Sequence, residues 1–234
     1  MTMNAEMRSY YERRAPEYDD WWLGSGLFAR RDRPGWHEDV AGLCAAVAAL
    51  EPARTLDVAC GTGFLTAHLP GELTGLDQSE GMLAVAAARL PAARFVPGDA
   101  LDPPFGDGAF ERVHAAHFYG HLDEAQGRAF LAAAARLAPE LVVVDSALRP
   151  DGEPEAWQER VLDDGSRHTV YKRWFTPDSL AAELGGGETV HAGPWFVAVR
   201  RRTGGSGRGR LARPFGARVG SGRGRLAGPF GARE

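Results

Sequence analysis

The chain has 234 residues, 44% hydrophobic and 25% charged, with a net charge of −4 at pH 7. That is one or two domains, with enough apolar material to bury a core without disulfides or metal. The longest apolar run, residues 40–50, falls well short of the roughly twenty residues of a membrane-spanning helix, which excludes an integral membrane protein. The N-terminus lacks the apolar segment of a secretory signal. Cys44 and Cys60 form no CxxC, so a disulfide framework and a zinc ribbon are excluded and a reducing, cytoplasmic compartment is expected.

The charge is unevenly spread. Residues 201–234 hold nine Arg and one Glu, so residues 1–200 carry 18 basic and 30 acidic groups, a net of −12. An acidic body is a poor nucleic-acid binder, which leaves the tail as the only segment suited to that contact. The tail is a tandem repeat: residues 205–219 and 220–234 differ only at Arg213/Gly228 and Val219/Glu234. Two Gly/Arg-rich units are too few to build a repeat core, so residues 203–234 are expected to be disordered. Such an arm suits attraction of RNA or phosphate, or is a slipped duplication without a role.

In chain order, residues 9–22 are helix-like and rich in aromatics. Residues 38–50 repeat as a helix, with Val40, Leu43, Cys44, Val47 and Leu50 on one face. Residues 54–59 form a strand that runs into a glycine turn, and residues 64–69 start a helix. Residues 72–77 are the second strand, and Ser79 caps a helix that continues to Leu90. Residues 94–97 and 110–115 are the third and fourth strands. Asp123 and Gln126 form a capping-box variant for a helix to Ala138. Residues 141–145 (LVVVD) are apolar without alternation, the pattern of a strand buried on both faces. A helix starts at Thr176-Pro177 and stops at the glycines 185–187. Residues 188–192 and 195–200, separated by Gly193-Pro194, close as a hairpin whose last strand is antiparallel to its neighbour. Alternation of strands and helices points to a parallel α/β sheet.

Three loops of that sheet carry chemistry. In Asp57-Val58-Ala59-Cys60-Gly61-Thr62-Gly63 a strand enters a Gly-x-Gly turn at the start of a helix, where backbone can approach a ligand and free N–H groups are exposed. Asp77 ends the second strand, where a carboxylate can accept both hydroxyls of a ribose. Pro97-Gly98-Asp99-Ala100 follows the third strand, so Asp99 could accept from an adenine amino group and the Ala100 N–H could donate to a ring nitrogen. A dinucleotide fold would need a third glycine where Thr66 stands, which argues against NAD.

These segments, LDVACGTG, GLDQSEGML and PGDALDPPF, in this order resemble class I S-adenosylmethionine (SAM)-dependent methyltransferases of the small-molecule type, over roughly residues 8–202. SYYERRAPEYDDWW is similar to the family's cofactor-covering helix, and YKRWFTPDSL to the stretch before its final hairpin. The resemblance implies a Rossmann-like, doubly wound seven-stranded sheet of order 3214576 with the last strand antiparallel, flanked by helices, with residues 1–50 as an N-terminal helical cover on a domain of residues 1–202. It implies SAM as cofactor, with Asp57, Ala59, Gly61 and Gly63 along its methionine part and Asp77 on its ribose. Gln78 and Met82 would flank the adenine, Asp99 and Ala100 would meet its edge, and His117 would lie near the sulfonium. Tyr11, Arg14 and Tyr18 would come from the cover, where an arginine can pair with the SAM carboxylate.

The implied activity is in-line transfer of a methyl group to an O or N of a small molecule of natural-product type. A base is needed only where the acceptor is protonated; His121 and His117 are the candidates. The sequence offers no third ligand at metal-binding spacing, so no metal is expected. The acceptor pocket should be walled by residues 21–36, 117–121 and 153–174. The candidates there are Trp22, Tyr119, His121, Arg167 and Lys172, among aromatics that suit a flat acceptor and arginines (Arg30, Arg31, Arg160, Arg173) that suit an anionic group. Trp21, Trp36, Trp157 and Trp174 belong to the same two segments. Two alternatives stand beside this reading: an RNA or protein methyltransferase that uses the basic tail, and a SAM-binding scaffold without catalysis. No dimerisation motif is seen.

Overall fold

The structure, a computed structural model, describes residues 5–202. The repeat tail lies outside the described residues. The chain begins with helices α1 (Ala5–Arg14), α2 (Tyr18–Leu23) and α3 (Trp36–Ala48), then alternates strands with helices. The strands are β1 (Ala53–Val58), β2 (Gly71–Asp77), β3 (Arg94–Pro97), β4 (Arg112–Ala116), β5 (Glu140–Ser146), β6 (Glu155–Val161), β7 (Arg167–Arg173), β8 (Glu188–Ala192) and β9 (Phe196–Arg202). Between them lie α4 (Glu80–Arg89), α5 (Glu124–Leu137) and α6 (Pro177–Glu183).

Seven strands form one sheet in the order β3-β2-β1-β4-β5-β9-β8, and β6 and β7 form a separate two-stranded hairpin. With that hairpin set aside, the order is the expected 3214576. β1 to β5 pair in parallel, and β9 runs antiparallel to both β5 and β8. This is the Rossmann-like, doubly wound sheet that the resemblance implies. Residues 141–144 show why the middle of β5 is apolar without alternation. Leu141 and Val143 join the core under α5 and α6, with Phe130, Leu137 and Leu180. Val142 and Val144 join the core under α3, with Leu43 and Val47.

Local chemistry sets the element ends. Asp123 and Gln126 make the reciprocal capping box at α5, and Thr176 with Ser179 makes one at α6, with Pro177 in its first turn. Ser79 caps α4 by accepting from the Met82 N–H. The expected helix at residues 64–69 is instead a single 3-10 turn, Thr66–His68. Only residues 64–70 separate the glycine turn from β2, too short a span for an α-helix plus its exit. The helix expected over residues 9–22 is broken by Ala15–Glu17, a 3-10 turn that contains Pro16. The segment 153–174, expected as a wall of the acceptor pocket, contains the β6–β7 hairpin, turned at Gly165 with φ +78°. Among the described residues no helix is long and apolar enough to cross a membrane.

The strand order reverses between β1 and β4, so their carboxyl ends diverge and open a crevice. α1 and α2 lie across it. Glu12 on α1 accepts from the Ser79 hydroxyl at 2.6 Å and the Gly81 N–H at 3.0 Å, which ties the cover to the start of α4. Asp19 on α2 accepts from the Thr62 hydroxyl at 2.6 Å and pairs with Arg89.

Candidate functional site

Two cavities lie over the carboxyl ends of the strands. A narrow cleft of about 50 Å³ is bounded by Ala59, Gly61, Asp77, Gln78, Met82 and Ala100 below and by the cover above. A larger cavity of about 480 Å³ lies between the cover and the β6–β7 hairpin. Four residues border both: Tyr11, Tyr18, His117 and His121.

The cleft floor is built from strand ends. Ala59 directly follows β1 with φ +52°, and His117 directly follows β4 with φ +53°. Two non-glycine residues in the left-handed region, at adjacent strand ends, are backbone strain of the kind that collects at functional sites. Gly61 supplies φ +55° at the turn, and a side chain there would point at the Tyr18 ring. Asp77 Oδ2 accepts the Gly61 N–H and Oδ1 the Ser79 N–H, each at 2.9 Å. Burial pushes this carboxyl above its ordinary range, against the pull of those N–H groups. The Gln78 N–H adds to that pull, and a carboxylate's roughly four acceptor positions still leave capacity for the cleft.

The residues that border both cavities are uncharged. His117 is enclosed by Trp21, Trp22 and Phe196, with ring centroids 4.8, 5.0 and 5.4 Å away. Burial drives its pKa down to about 3, and the Asp145 carboxylate, 3.9 Å from Nδ1, does not reverse this. Its Nε2 is buried without a hydrogen-bond partner in the protein. His121 Nδ1 lies 2.6 Å from the Tyr171 carbonyl. A carbonyl only accepts, so the proton sits on Nδ1 and the Nε2 lone pair faces the Tyr11 hydroxyl at 3.3 Å. Burial holds His121 well below its ordinary pKa, assisted by Lys172 and Arg160. Burial likewise pushes Tyr18 up to about 12 and Tyr11 higher still.

Lys172, fully buried, pairs with Asp145 at the end of β5. Asp145 also accepts the Gly120 N–H at 2.7 Å and the Ser146 N–H at 2.8 Å. Burial pushes the Asp145 carboxyl up, but Lys172 and the two histidines outweigh it and hold it below the usual range. Burial pulls Lys172 down.

Not every residue singled out in the sequence reaches these cavities. The Asp57 carboxylate is buried within the sheet, 2.7 Å from His114 Nδ1, and accepts from the Thr66 hydroxyl, so it joins β1 to β4 and to the 3-10 turn. Gly63, with φ +73°, lets α4 approach; an added Cβ would sit 3.2 Å from that of Ala86. Asp99 turns back to accept the Leu101 N–H at 2.9 Å. Arg14 borders the larger cavity rather than the cleft, donating to the Tyr10 hydroxyl and lying over the Tyr18 ring. Trp22 stacks on Phe64 at 4.6 Å and bounds neither cavity; its neighbour Trp21 does. Tyr119 packs against Phe130 and Phe175 on the other side of the loop, next to a separate surface groove. Arg167 is exposed and pairs with Glu159 across the hairpin. Sequence reasoning missed Glu12 and Asp19, whose partners lie 67 and 43 residues away. It also missed Asp145, which a search for carboxylates at strand ends would have found as it found Asp77. Among the described residues no group of three metal-ligating side chains converges.

Residues 55–140 match the family described as methyltransferase domain. The phthiotriol/phenolphthiotriol dimycocerosates methyltransferase of Mycobacterium tuberculosis is 37% identical over 116 residues, 45% of this chain and 41% of that protein. The O-methyltransferase cnsE of Penicillium expansum is 36% identical over 110 residues, 41% of this chain and 40% of that protein. The chain thus spans about two fifths of the length of the curated relatives it matches. Among solved structures, the DhpI–SAM–HEP complex superposes with a TM-score of 0.67 at 25% identity, over 86% of this chain and 100% of that one.

Proposed function

We propose, for a chain that carries a methyltransferase domain of the class I, SAM-dependent type, that it methylates an oxygen or nitrogen of a small molecule, with residues 1–202 as the catalytic domain. The observation that carries the reading is the junction of the two cavities at Tyr11, Tyr18, His117 and His121. A donor held in the cleft and an acceptor held in the larger cavity would meet there.

The cleft suits SAM. Asp77 would take the ribose hydroxyls, and Ala59 and Gly61 would let backbone lie against the ligand. Gln78, Met82 and the Ala100 N–H would hold the adenine. Arg14 borders the larger cavity next to the junction, so it would reach the amino-acid carboxylate of SAM only where that end of the ligand extends past Tyr18 out of the cleft. Asp57, Gly63 and Asp99 would shape the fold of these loops without touching the ligand. Bound SAM would supply a methyl group already activated on a sulfonium, so the transfer is an in-line displacement.

The remaining work falls to the chain: orientation of the acceptor and exclusion of water. The aromatic cage around His117 provides the dry wall. His121 Nε2, now facing the Tyr11 hydroxyl, would accept a proton from a hydroxyl or amine acceptor that takes that hydroxyl's place, while the Tyr171 carbonyl fixes its tautomer. The cleft in its present form is small for a nucleoside, since ligand cavities run to about 300 Å³ or more. Entry of SAM would therefore lift the cover at its two anchors, Glu12 and Asp19.

The test is incubation of the full chain with methyl-labelled SAM and a panel of aromatic alcohols, amines and acids. Label in a small product supports the reading, and His121→Gln should then lower kcat about 10²-fold for a protonated acceptor, a common size for loss of a general base. Binding of SAM with no label in any small product would favour the scaffold instead.

A further inference from the structure

The larger cavity is cationic in an acidic body. It is bordered by Arg14, Arg31, Arg33, Arg149 and Arg160, against two carboxylates, Glu17 and Glu153. Lys172 is already neutralised by Asp145, and Glu17 accepts the Asp163 N–H. Many arginines elsewhere are paired with acids, as Arg112 is with Glu140 and Arg200 with Glu188. None of the five cavity arginines has a carboxylate within 4.0 Å among the described residues.

These guanidinium groups are organised by rings instead. Arg31 lies over Phe28 at 4.6 Å, Arg33 over Trp36 at 3.7 Å and Arg149 over Trp195 at 5.3 Å. A stacked guanidinium keeps its N–H edge free and loses little freedom when it forms a fork-to-fork contact. Arg33 spends one N–H on the Trp21 carbonyl, and Arg160 is positioned by Gln158 at 2.8 Å. Arg31 is held below its ordinary pKa, first by partial burial and then by the like charges of Arg160 and Arg14. An anion between them would relieve that repulsion.

We infer that the larger cavity binds an acceptor through an acid group, a carboxylate or a phosphonate or phosphate, gripped by Arg31 and Arg160 while the apolar body of the acceptor lies against Trp21, Trp36 and Trp174. The inference names the substrate class of the site proposed above and rests on that reading. It makes the acceptor an aromatic or apolar acid and makes charge the basis of selection against neutral analogues of the same shape. The planar fork of arginine matches either acid bidentately.

The experiment is calorimetric titration of phenylphosphonate, benzoate and neutral benzyl alcohol into the full chain. It is repeated in Arg31→Gln, Arg160→Gln and Arg167→Gln, with SAM titrated into each protein. At least one acid should bind, with affinity at least tenfold weaker in Arg31→Gln and in Arg160→Gln and unchanged in Arg167→Gln, whose side chain pairs with Glu159 on the exposed hairpin. The acid that binds tighter identifies the headgroup. Acids that bind no tighter than benzyl alcohol, or equally in all variants, overturn the inference. SAM affinity retained in the arginine variants confines such a failure to this inference, whereas loss of SAM binding in the unaltered chain would strike the methyl-transfer reading instead.

Discussion

The burial of His117 makes a quantitative claim about acid stability. Its pKa is 6.5 in an exposed chain and about 3 in the fold, because burial among Trp21, Trp22 and Phe196 penalises the imidazolium. A folded pKa depressed in this way means that the unfolded chain binds the proton first. The stability held by the neutral ring is complete above pH 6.5 and is lost as pH falls toward 3. Between pH 7 and pH 5 the linkage relation gives a loss of about 2 kcal/mol from this residue alone. His117→Asn removes the titration and tolerates the positive φ, since Asn is among the residues that adopt it. Urea unfolding of both proteins at half-unit steps from pH 5 to pH 7.5 yields the difference in slope, and any constant offset from the smaller side chain cancels. The unaltered chain should lose about 2 kcal/mol more than the variant over that range. Parallel pH profiles, within about 0.5 kcal/mol, would refute the assignment of a neutral, buried His117.

Lys172→Ala leaves the Asp145 carboxylate buried with only its two N–H donors, so stability should fall by about 3–5 kcal/mol; a loss below about 1 kcal/mol in urea unfolding would contradict the buried pair. Glu12→Ala removes the acceptor of Ser79 and Gly81. Amide exchange over residues 5–18 should then quicken about fivefold to tenfold, for roughly 1 kcal/mol lost at a helix start, while β4 and β5 keep their protection. Equal exchange in both proteins would mean that Glu12 does not hold the cover. Gly63→Ala forces a Cβ into the left-handed region 3.2 Å from Ala86, at about 1–2 kcal/mol, and should lower Tm by roughly 2–8 °C for a chain of this size; an unchanged Tm would contradict the close approach of α4.

The sheet was legible because its signals are local: unalternating LVVVD, the Asp123–Gln126 and Thr176-Pro177 helix starts, and the Gly193-Pro194 turn each act within a few residues. The β6–β7 hairpin escaped because charged residues interrupt the apolar pattern of both of its strands. Its one clear sign, Asp164-Gly165 between two weakly alternating runs, was open to reading. In the site, strand-end position located Asp77, and the family resemblance supplied Ala59 and His117, but neither fixes where a side chain points. Asp57 was drawn into the sheet by His114, from a strand not adjacent in sequence. Trp22 and Trp21 are neighbours on a short helix, and only packing on Phe64 decides which of them turns away from the cavity. The cover's anchors, Glu12 and Asp19, are ordinary helix-surface acids until the chain has folded.

The central claim is that the cleft at Asp77 is a SAM site. Its most direct test is calorimetric titration of SAM and S-adenosylhomocysteine into the full chain and into Asp77→Asn, with circular dichroism to confirm that both are folded. Loss of two charge-assisted hydrogen bonds, each worth about 1.5–3 kcal/mol, predicts affinity at least about 10²-fold weaker in the variant for both ligands. Binding of equal strength in the two proteins, or no binding to the unaltered chain, would contradict it.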